Sequence, residues 1–284
     1  MLIDAHIHVV PPNLPGTGVL SPLLLTPIAE RAAALRHDMA EANISTALAM
    51  GALTGAEEDP LGVEETLRLA ELVPGLHAIG VADPRRTESG WLRLVEKQLA
   101  GGRIRALKAY LGYLHFGPDH PNFVPYYELA ERYKIPFFFH TGDTYSPCAK
   151  LKYARPLLVD EVAVDFPRVR FVLAHFGNPW LMEAAEVVYK NVNVWADLSG
   201  LILGSEADFA SPELQEAMND SRQDVLRAFR YAERPNRFLF GSDWPLAPMR
   251  GYQDFVASIF PPLYHDQLFI DNARILFQFA PSGG

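Results

Sequence analysis

The stretch LIDAHIHV, residues 2–9, opens a series of eight short apolar runs that decides the fold. Each run is rich in aliphatic, β-branched or aromatic residues, and polar or helix-periodic stretches with Gly and Pro separate the runs. The further predicted strands are 44–51, 76–82, 104–111, 135–141, 169–176, 192–199 and 238–243. Strands that alternate with helices pair in parallel through right-handed crossovers, and eight such units can close so that no edge is exposed. We therefore predict an α/β fold, a single-domain (β/α)8 TIM barrel over residues 1–284.

Helices are predicted in the gaps between these runs. They are Pro27–Ala42, Val63–Leu72, Ser89–Ala100, Val124–Tyr133, Pro179–Tyr189, Pro212–Ala232 and His265–Phe279. The alternative fold is an open doubly wound sheet, which usually carries a Gly-rich phosphate turn after its first strand. Here the first run ends in His-Val-Val-Pro-Pro, which favours the barrel.

Composition indicates one well-packed core. A chain of 284 residues is close to the roughly 250 residues of a typical barrel. Hydrophobic residues make up 49% of the chain and charged residues 21%, which excludes a disordered protein. Cys148 is the single cysteine, so no internal disulfide is expected, and we interpret it as an ordinary loop thiol.

The charge and hydropathy of the chain limit the kinds of molecule that it is expected to bind. The formal net charge is −9 and Lys and Arg do not cluster, so we expect neither nucleic acid nor an anionic membrane as a partner. The N-terminus lacks a basic segment with an apolar signal core, and no apolar run reaches the roughly 18 residues of a membrane span. We expect a cytoplasmic protein that binds a small-molecule substrate, and a homo-oligomer is compatible with the sequence.

Histidines and one aspartate collect at the carboxyl ends of the predicted strands. His6 and His8 are two residues apart and therefore project to the same side of their strand. His140, His175 and Asp243 close the fifth, sixth and eighth runs. Barrel active sites are built at this end of the strands, so the five side chains are expected to meet at the mouth.

This constellation predicts a metal site. A single histidine in a strand is more often a hydrogen-bonded structural residue than a ligand, whereas five such residues on one rim favour a ligand set. Imidazoles and a carboxylate suit a borderline-soft divalent cation that keeps an open position for water. Zinc fits best, and manganese and iron remain alternatives.

Lys108 is an unusual residue for the inside of a barrel. In the run 104–111, Leu107, Ala109 and Leu111 form an apolar face for the helix layer, which directs Lys108 and Tyr110 toward the barrel axis. The lysine could bind a substrate carboxylate, form a carbamate that bridges two metal ions, or form a plain salt bridge with Asp4.

Five motifs spread along the chain resemble the amidohydrolase superfamily. They are Asp4-Ala5-His6-Ile7-His8, His140-Thr141-Gly142, the stretch 151–180 around His175, Gly241-Ser242-Asp243-Trp244-Pro245, and Asn272-Ala273-Arg274-Ile275-Leu276-Phe277. The chain is most similar to the amidohydrolase-related branch that includes aminocarboxymuconate semialdehyde decarboxylase and γ-resorcylate decarboxylase. That branch contains both hydrolases and enzymes that cleave carbon–carbon bonds.

The resemblance implies a ligand set and a catalytic pair. His6, His8, His140 and Asp243 would bind one divalent metal ion, and His175 would be free to act with Asp243 in catalysis. Members with two ions use the sixth-strand histidine as a ligand of the second ion and carbamylate a fourth-strand lysine, which corresponds here to Lys108. One ion is favoured and two remain an alternative.

One position departs from the family pattern. Many relatives carry a histidine where Asn178 stands, so no role of that imidazole is transferred to this chain.

The expected reaction is hydrolysis of an amide, ester or lactone. Zinc lowers the pKa of bound water from about 15.7 to near 7, Asp243 would take its proton, and His175 would polarise the carbonyl. Asp4 is one candidate acceptor for a ligand imidazole.

Two other functions are weighed against hydrolysis. They are decarboxylation of an aromatic or unsaturated acid at the same metal, and ligand binding without turnover. An apolar or aromatic pocket is suggested by loop residues 14–25, Tyr110, Tyr113, Phe116, Tyr145, Trp180 and Trp195.

Overall fold

A computed structural model describes residues 2–280, and they form a barrel of eight parallel strands that follow one another around the sheet in chain order. The strands are β1 Leu2–Ile7, β2 Ile44–Met50, β3 Leu76–Val81, β4 Ile104–Ala109, β5 Phe137–Phe139, β6 Phe171–Leu173, β7 Val194–Asp197 and β8 Phe238–Leu239. The predicted TIM-barrel fold is confirmed. All eight strands end before their predicted limits, and the last four are only two to four residues long.

The barrel closes where β8 lies beside β1. The Ala5 amide donates to the Phe240 carbonyl at 2.9 Å, and the Asp243 amide donates to the His6 carbonyl at 2.9 Å. These backbone bonds satisfy the edge groups that an open sheet would expose. They also place Asp243 beside His6.

Helices surround the sheet. They are α1 Ile28–Glu41, α2 Glu64–Ala70, α3 Ser89–Ala100, α4 Val124–Tyr133, α5 Val159–Asp165, α6 Leu181–Lys190, α7 Glu206–Phe209, α8 Pro212–Ala232, α9 Met249–Ile259 and α10 Asn272–Phe277. The helix predicted over His265–Phe279 is instead a π-helical turn, Gln267–Asp271, that leads into α10. No helix within residues 2–280 has both the length and the apolar character that a membrane span requires.

The alternation of side chains in β4 separates two apolar layers. Leu107 and Ala109 pack between the strands and the helices, whereas Ala106 belongs to the interior cluster of the barrel. Lys108 points inward with Ala106 and is fully buried. Below it, α10 closes the amino-terminal end of the barrel with Leu276 and Phe277. The apolar floor leaves the carboxyl ends of the strands as the open, polar end.

Candidate metal centre

Three of the predicted site residues meet directly at the mouth of the barrel. His6 lies in β1, His8 follows it, and Asp243 follows β8; all three are buried. Asp243 Oδ1 lies 3.3 Å from His8 Nε2 and 3.6 Å from His6 Nε2. One ligand atom from each residue falls within 4.8 Å of the other two, which is the spacing of a candidate cation site.

His140 joins this group through His175. His140 Nδ1 lies 3.2 Å from His175 Nε2, and the ring of His175 is centred 4.9 Å from the ring of His6. The structure therefore brings all five predicted residues to one place, with His175 between the β5 histidine and the β1 pair.

The backbone conformation at two strand ends directs the side chains of His175 and Asp243 into the site. His175 and Asp243 adopt positive φ angles of 60° and 63°. Such conformations are uncommon for residues other than glycine and cluster at functional sites. Gly200 leaves room beside them, because a Cβ there would lie 2.6 Å from His175 Nδ1 and 3.1 Å from Asp243 Oδ2. Even an alanine at 200 would collide with the imidazole.

Hydrogen bonds fix which nitrogen of each imidazole carries the proton. His6 Nδ1 donates to Asp197 Oδ2 at 2.9 Å, and His140 Nε2 donates to the Asp143 carbonyl at 2.8 Å. His175 Nδ1 donates to the carbonyl of Ser199, 3.3 Å away. Because these oxygens only accept, His6 Nε2, His140 Nδ1 and His175 Nε2 present lone pairs to the centre of the site.

The converging lone pairs fit a cation. His140 Nδ1 and His175 Nε2 face each other, and the buried atoms His6 Nε2 and Asp243 Oδ1 have no hydrogen-bond partner. A buried acceptor without a donor destabilises a protein by about 1–3 kcal/mol. A divalent cation with nitrogen and oxygen ligands would satisfy these atoms together.

Burial keeps the imidazoles of His6 and His140 neutral, as ligands must be. It lowers the pKa of His6 to about 4 and holds the pKa of His140 well below its usual value. Burial by itself would raise the pKa of Asp243, but the close approach of His8 and the other neighbouring imidazoles outweighs it and keeps that pKa low. At neutral pH the site offers neutral nitrogens and an ionised carboxylate.

Asp197 is a site residue that the sequence analysis missed. It ends β7 and is completely buried, and its second oxygen accepts the backbone amides of His175 and Ser199 at 3.0 Å. The hydroxyl of Ser199 also donates to it. The rule that selected Asp243, an acidic residue at the carboxyl end of a predicted strand, would also have selected Asp197.

The expectation that Asp4 supports a ligand imidazole was wrong. Asp4 Oδ1 accepts the backbone amides of His6 and Ser242, at 3.1 and 3.0 Å, and burial raises its pKa to about 7. Asp4 lies one layer below the imidazoles, so its side chain reaches backbone rather than rings. Asp197, on the neighbouring strand end, is the residue that holds His6.

Lys108 lies inside the barrel without the salt bridge to Asp4 that was weighed for it. Its ammonium group is fully buried and has no hydrogen-bond partner among the described residues. The nitrogen lies 5.7 Å from the centre of the Tyr110 ring, and burial lowers its pKa to about 8. Tyr110 is also buried, and its hydroxyl donates to the Gly51 carbonyl at 2.7 Å.

Comparisons with known proteins identify the family of the chain. A family model described as amidohydrolase matches residues 3–279. The chain belongs to the amidohydrolase family. The resemblance inferred from the sequence motifs is thereby confirmed, although a search of curated proteins found no match for this amidohydrolase.

Solved structures share the fold of this amidohydrolase at low sequence identity. An amidohydrolase from Burkholderia multivorans with bound zinc is 17% identical, with a TM-score of 0.67, over 98% of this chain and 99% of that one. A probable 2-pyrone-4,6-dicarboxylic acid hydrolase from Acinetobacter baumannii, with citric acid bound, has the same identity, TM-score and coverage. The 5-carboxyvanillate decarboxylase of Sphingomonas paucimobilis is 15% identical, with a TM-score of 0.57 and the same coverage.

A cavity of about 320 Å³ opens above the candidate metal site of this amidohydrolase. His8, His140, His175 and Asp243 line its base. Three of the aromatic residues expected in the pocket line it, namely Tyr110, Tyr113 and Tyr145, together with Leu14 and Leu20 of the first loop.

The other three aromatic residues expected in the pocket are not among its lining residues. Trp195 packs in the interior cluster below the site, because it points inward from β7 one layer too low. Trp180 lies under the guanidinium of Arg155, and Phe116 packs against His120.

Proposed function

We propose that this protein is a metal-dependent hydrolase that cleaves an amide, ester or lactone. His6, His8, His140 and Asp243 would hold one divalent ion, for which zinc is the best match to the three imidazoles and one carboxylate. The observation that supports this proposal is a buried site in which the lone pairs of His6 and His140 converge and an unpartnered oxygen of Asp243 lies 3.3 Å from His8 Nε2. Bound there, the ion would activate water and polarise the substrate carbonyl.

The residues of the chain would handle the protons. Asp243 lines the cavity, so the carboxylate oxygen that does not bind the ion could accept the proton of an attacking water and return it to the leaving group. His175 also lines the cavity and is oriented through Nδ1 by Ser199. Because Nδ1 carries the proton, Nε2 could accept a proton or, in a two-ion site, become a ligand, and it could not donate to the substrate carbonyl as the sequence analysis expected.

The charge of the pocket favours hydrolysis over decarboxylation. Two of the structural neighbours are named for carboxylic acids, and such substrates usually require cationic side chains beyond the metal. Among the described residues that line this cavity there is no Lys or Arg. A substrate carboxylate would therefore find no positively charged side chain there, and only the metal would balance its charge.

Metal analysis and a substrate panel test this proposal. Purified protein is expected to contain about one equivalent of a divalent metal, or two if Lys108 is carbamylated. The metal-loaded protein is then assayed with lactones, esters, amides and hydroxybenzoates for acid and carbon dioxide release. Less than a tenth of an equivalent after reconstitution, or carbon dioxide release without hydrolysis, would reject it.

Asp243→Asn should abolish most turnover. The change removes the proton acceptor and keeps nearly the same volume, so kcat is expected to fall by about 10²–10⁴-fold while the fold is retained. The control is Asp224→Asn on the exposed surface of α8, which should keep wild-type activity. A kcat close to that of the wild type in Asp243→Asn would show that Asp243 is not the proton acceptor.

A further inference from the structure

The cavity above the site has one aliphatic side. Loops that follow β7, β8 and β1, which are neighbours around the barrel, supply it. Its residues are Pro12, Leu14, Leu20, Leu201, Ile202, Leu203, Leu214 and Leu246. Burying an apolar group against such a surface is favourable by about 0.8 kcal/mol per methylene, or three- to fourfold in affinity. This side is suited to a hydrocarbon chain.

The other side of the cavity carries tyrosines from the loops after β4 and β5. Tyr113 is buried, and its hydroxyl oxygen accepts the backbone amide of Tyr145 at 3.0 Å. The hydroxyl hydrogen has no acceptor among the described residues. Burial raises the pKa of Tyr113 to about 12, so the hydroxyl keeps that hydrogen at neutral pH. Tyr113 is therefore a free donor for an uncharged oxygen of a ligand.

Away from the proposed metal ligands, the only formal charge among the described residues of the cavity lining is negative. Asp243 lies at its base and Asp143 at its rim, where the Asp143 carboxylate accepts only the adjacent Thr144 amide among the described residues. Lys108 is fully buried and is not among the residues that line the cavity. On the aliphatic side of the cavity, a second carboxylate of a ligand would meet apolar surface, and losing its hydration there is unfavourable.

We propose that this pocket accepts an uncharged ester or lactone with an aliphatic substituent, and that it excludes substrates with a carboxylate away from the reacting carbonyl. The aliphatic part lies against the leucines of the β7, β8 and β1 loops, and Tyr113 donates to an uncharged oxygen of the substrate. The inference rests on the proposed hydrolase function. Hydrolysis would break the acyl carbon–oxygen bond, join the oxygen of water to the acyl carbon and transfer a water proton to the leaving oxygen. An ester would give an acid and an alcohol, and a lactone a single hydroxy acid.

Binding of metal-chelating probes tests the pocket without turnover. Alkyl hydroxamates of two to eight carbons, and the eight-carbon hydroxamate that ends in a carboxylate, are titrated calorimetrically into zinc-loaded protein. Affinity is expected to rise about threefold per methylene and to fall about tenfold or more when the terminal carboxylate is present. Equal or tighter binding of the carboxylate probe, a flat chain-length series or no binding at all would overturn the proposal.

Hydrolysis assays distinguish the proposed ligand class from the proposed hydrolase function. Alkyl-substituted lactones and esters should be hydrolysed with a kcat/KM that increases with chain length, and their carboxylate-ended analogues should be poor substrates. If the hydroxamates follow the expected order while no ester, lactone or amide is hydrolysed, the hydrolase proposal fails and the ligand class stands. If carboxylate-ended esters are the better substrates, the ligand class fails and the hydrolase proposal stands.

A charge introduced on the aliphatic side sharpens the test. Leu203 is half-buried in the lining, so Leu203→Arg should weaken the octyl hydroxamate and strengthen the carboxylate-ended probe, each by about tenfold. The control is Leu263→Arg, at a leucine that is 75% exposed and does not line the cavity, which should bind both probes as the wild type does. Unchanged preference in Leu203→Arg would contradict the assigned location of the chain.

Discussion

The two ends of the barrel differ in what they bury. At the floor, the ring of Phe277 from α10 is stacked with Phe138 of β5, and Leu276 adds a further apolar side chain. At the mouth, His6 and Asp243 are just as inaccessible but keep polar atoms without partners. Close-packed carbon stabilises a fold, whereas unpartnered polar atoms destabilise it unless a ligand binds them. The difference indicates that the apolar end stabilises the fold, whereas the polar end is built to bind a ligand.

The largest loss of stability is expected from a substitution in the apolar layer at the amino-terminal end of the barrel. Phe277→Ala leaves a cavity beneath the strands and is expected to lower the free energy of unfolding by about 3–5 kcal/mol, measured by urea denaturation. The metal content at low temperature should stay unchanged, because the site lies at the other end. Ile275→Ala, on the same helix but at a residue that is 68% exposed, serves as the control with a change of about 0.5 kcal/mol or less. A large loss of metal in Phe277→Ala would show that the two ends are not separate.

Weakening the support of a ligand should affect the mouth selectively. Asp197→Asn removes the carboxylate that accepts the proton of His6 Nδ1, and metal affinity is expected to fall about 10–100-fold. Competition with a chelator measures this affinity, and the Asp224→Asn variant provides the matched control. Wild-type affinity in Asp197→Asn would mean that His6 does not need this partner to bind the metal.

Lowering the pH should have a smaller effect on stability, through a histidine near the amino-terminal end of the barrel. His77 lies half-buried against Phe279, and burial, together with the charge of Arg105, lowers its pKa to about 4. The pKa in the unfolded chain is near 6.5, so the unfolded state takes up the proton first as the pH falls. The stability that His77 contributes is present above pH 6.5 and is lost as the pH falls toward 4.

The variant His77→Gln should reduce this acid sensitivity by about 1 kcal/mol. The measurement is the difference in Tm between pH 7 and pH 5, compared with His37→Gln at an exposed helical site. An identical pH dependence in wild type and His77→Gln would show that His77 does not titrate differently on folding.

The site residues that could be predicted from the sequence are those at the carboxyl ends of the strands. His6, His8, His140, His175 and Asp243 each close or follow an apolar run, and parallel strands bring such endings to one rim. The roles of Asp4 and Asp197 could not be assigned in the same way. Both are buried aspartates in strands, and only the height of each in the barrel decides whether it reaches a backbone amide or an imidazole.

The chain by itself determined the eight-fold alternation of strands and helices and the chemical types gathered at one end, because apolar periodicity and strand polarity are local properties of the sequence. The folded barrel decided which nitrogen of His6, His140 and His175 faces inward. Within residues 2–280, it also left Lys108 without an acidic partner at hydrogen-bonding distance and the cavity lining without Lys or Arg. Those features depend on contacts across the barrel, where a shift of one strand layer changes every neighbour of a side chain.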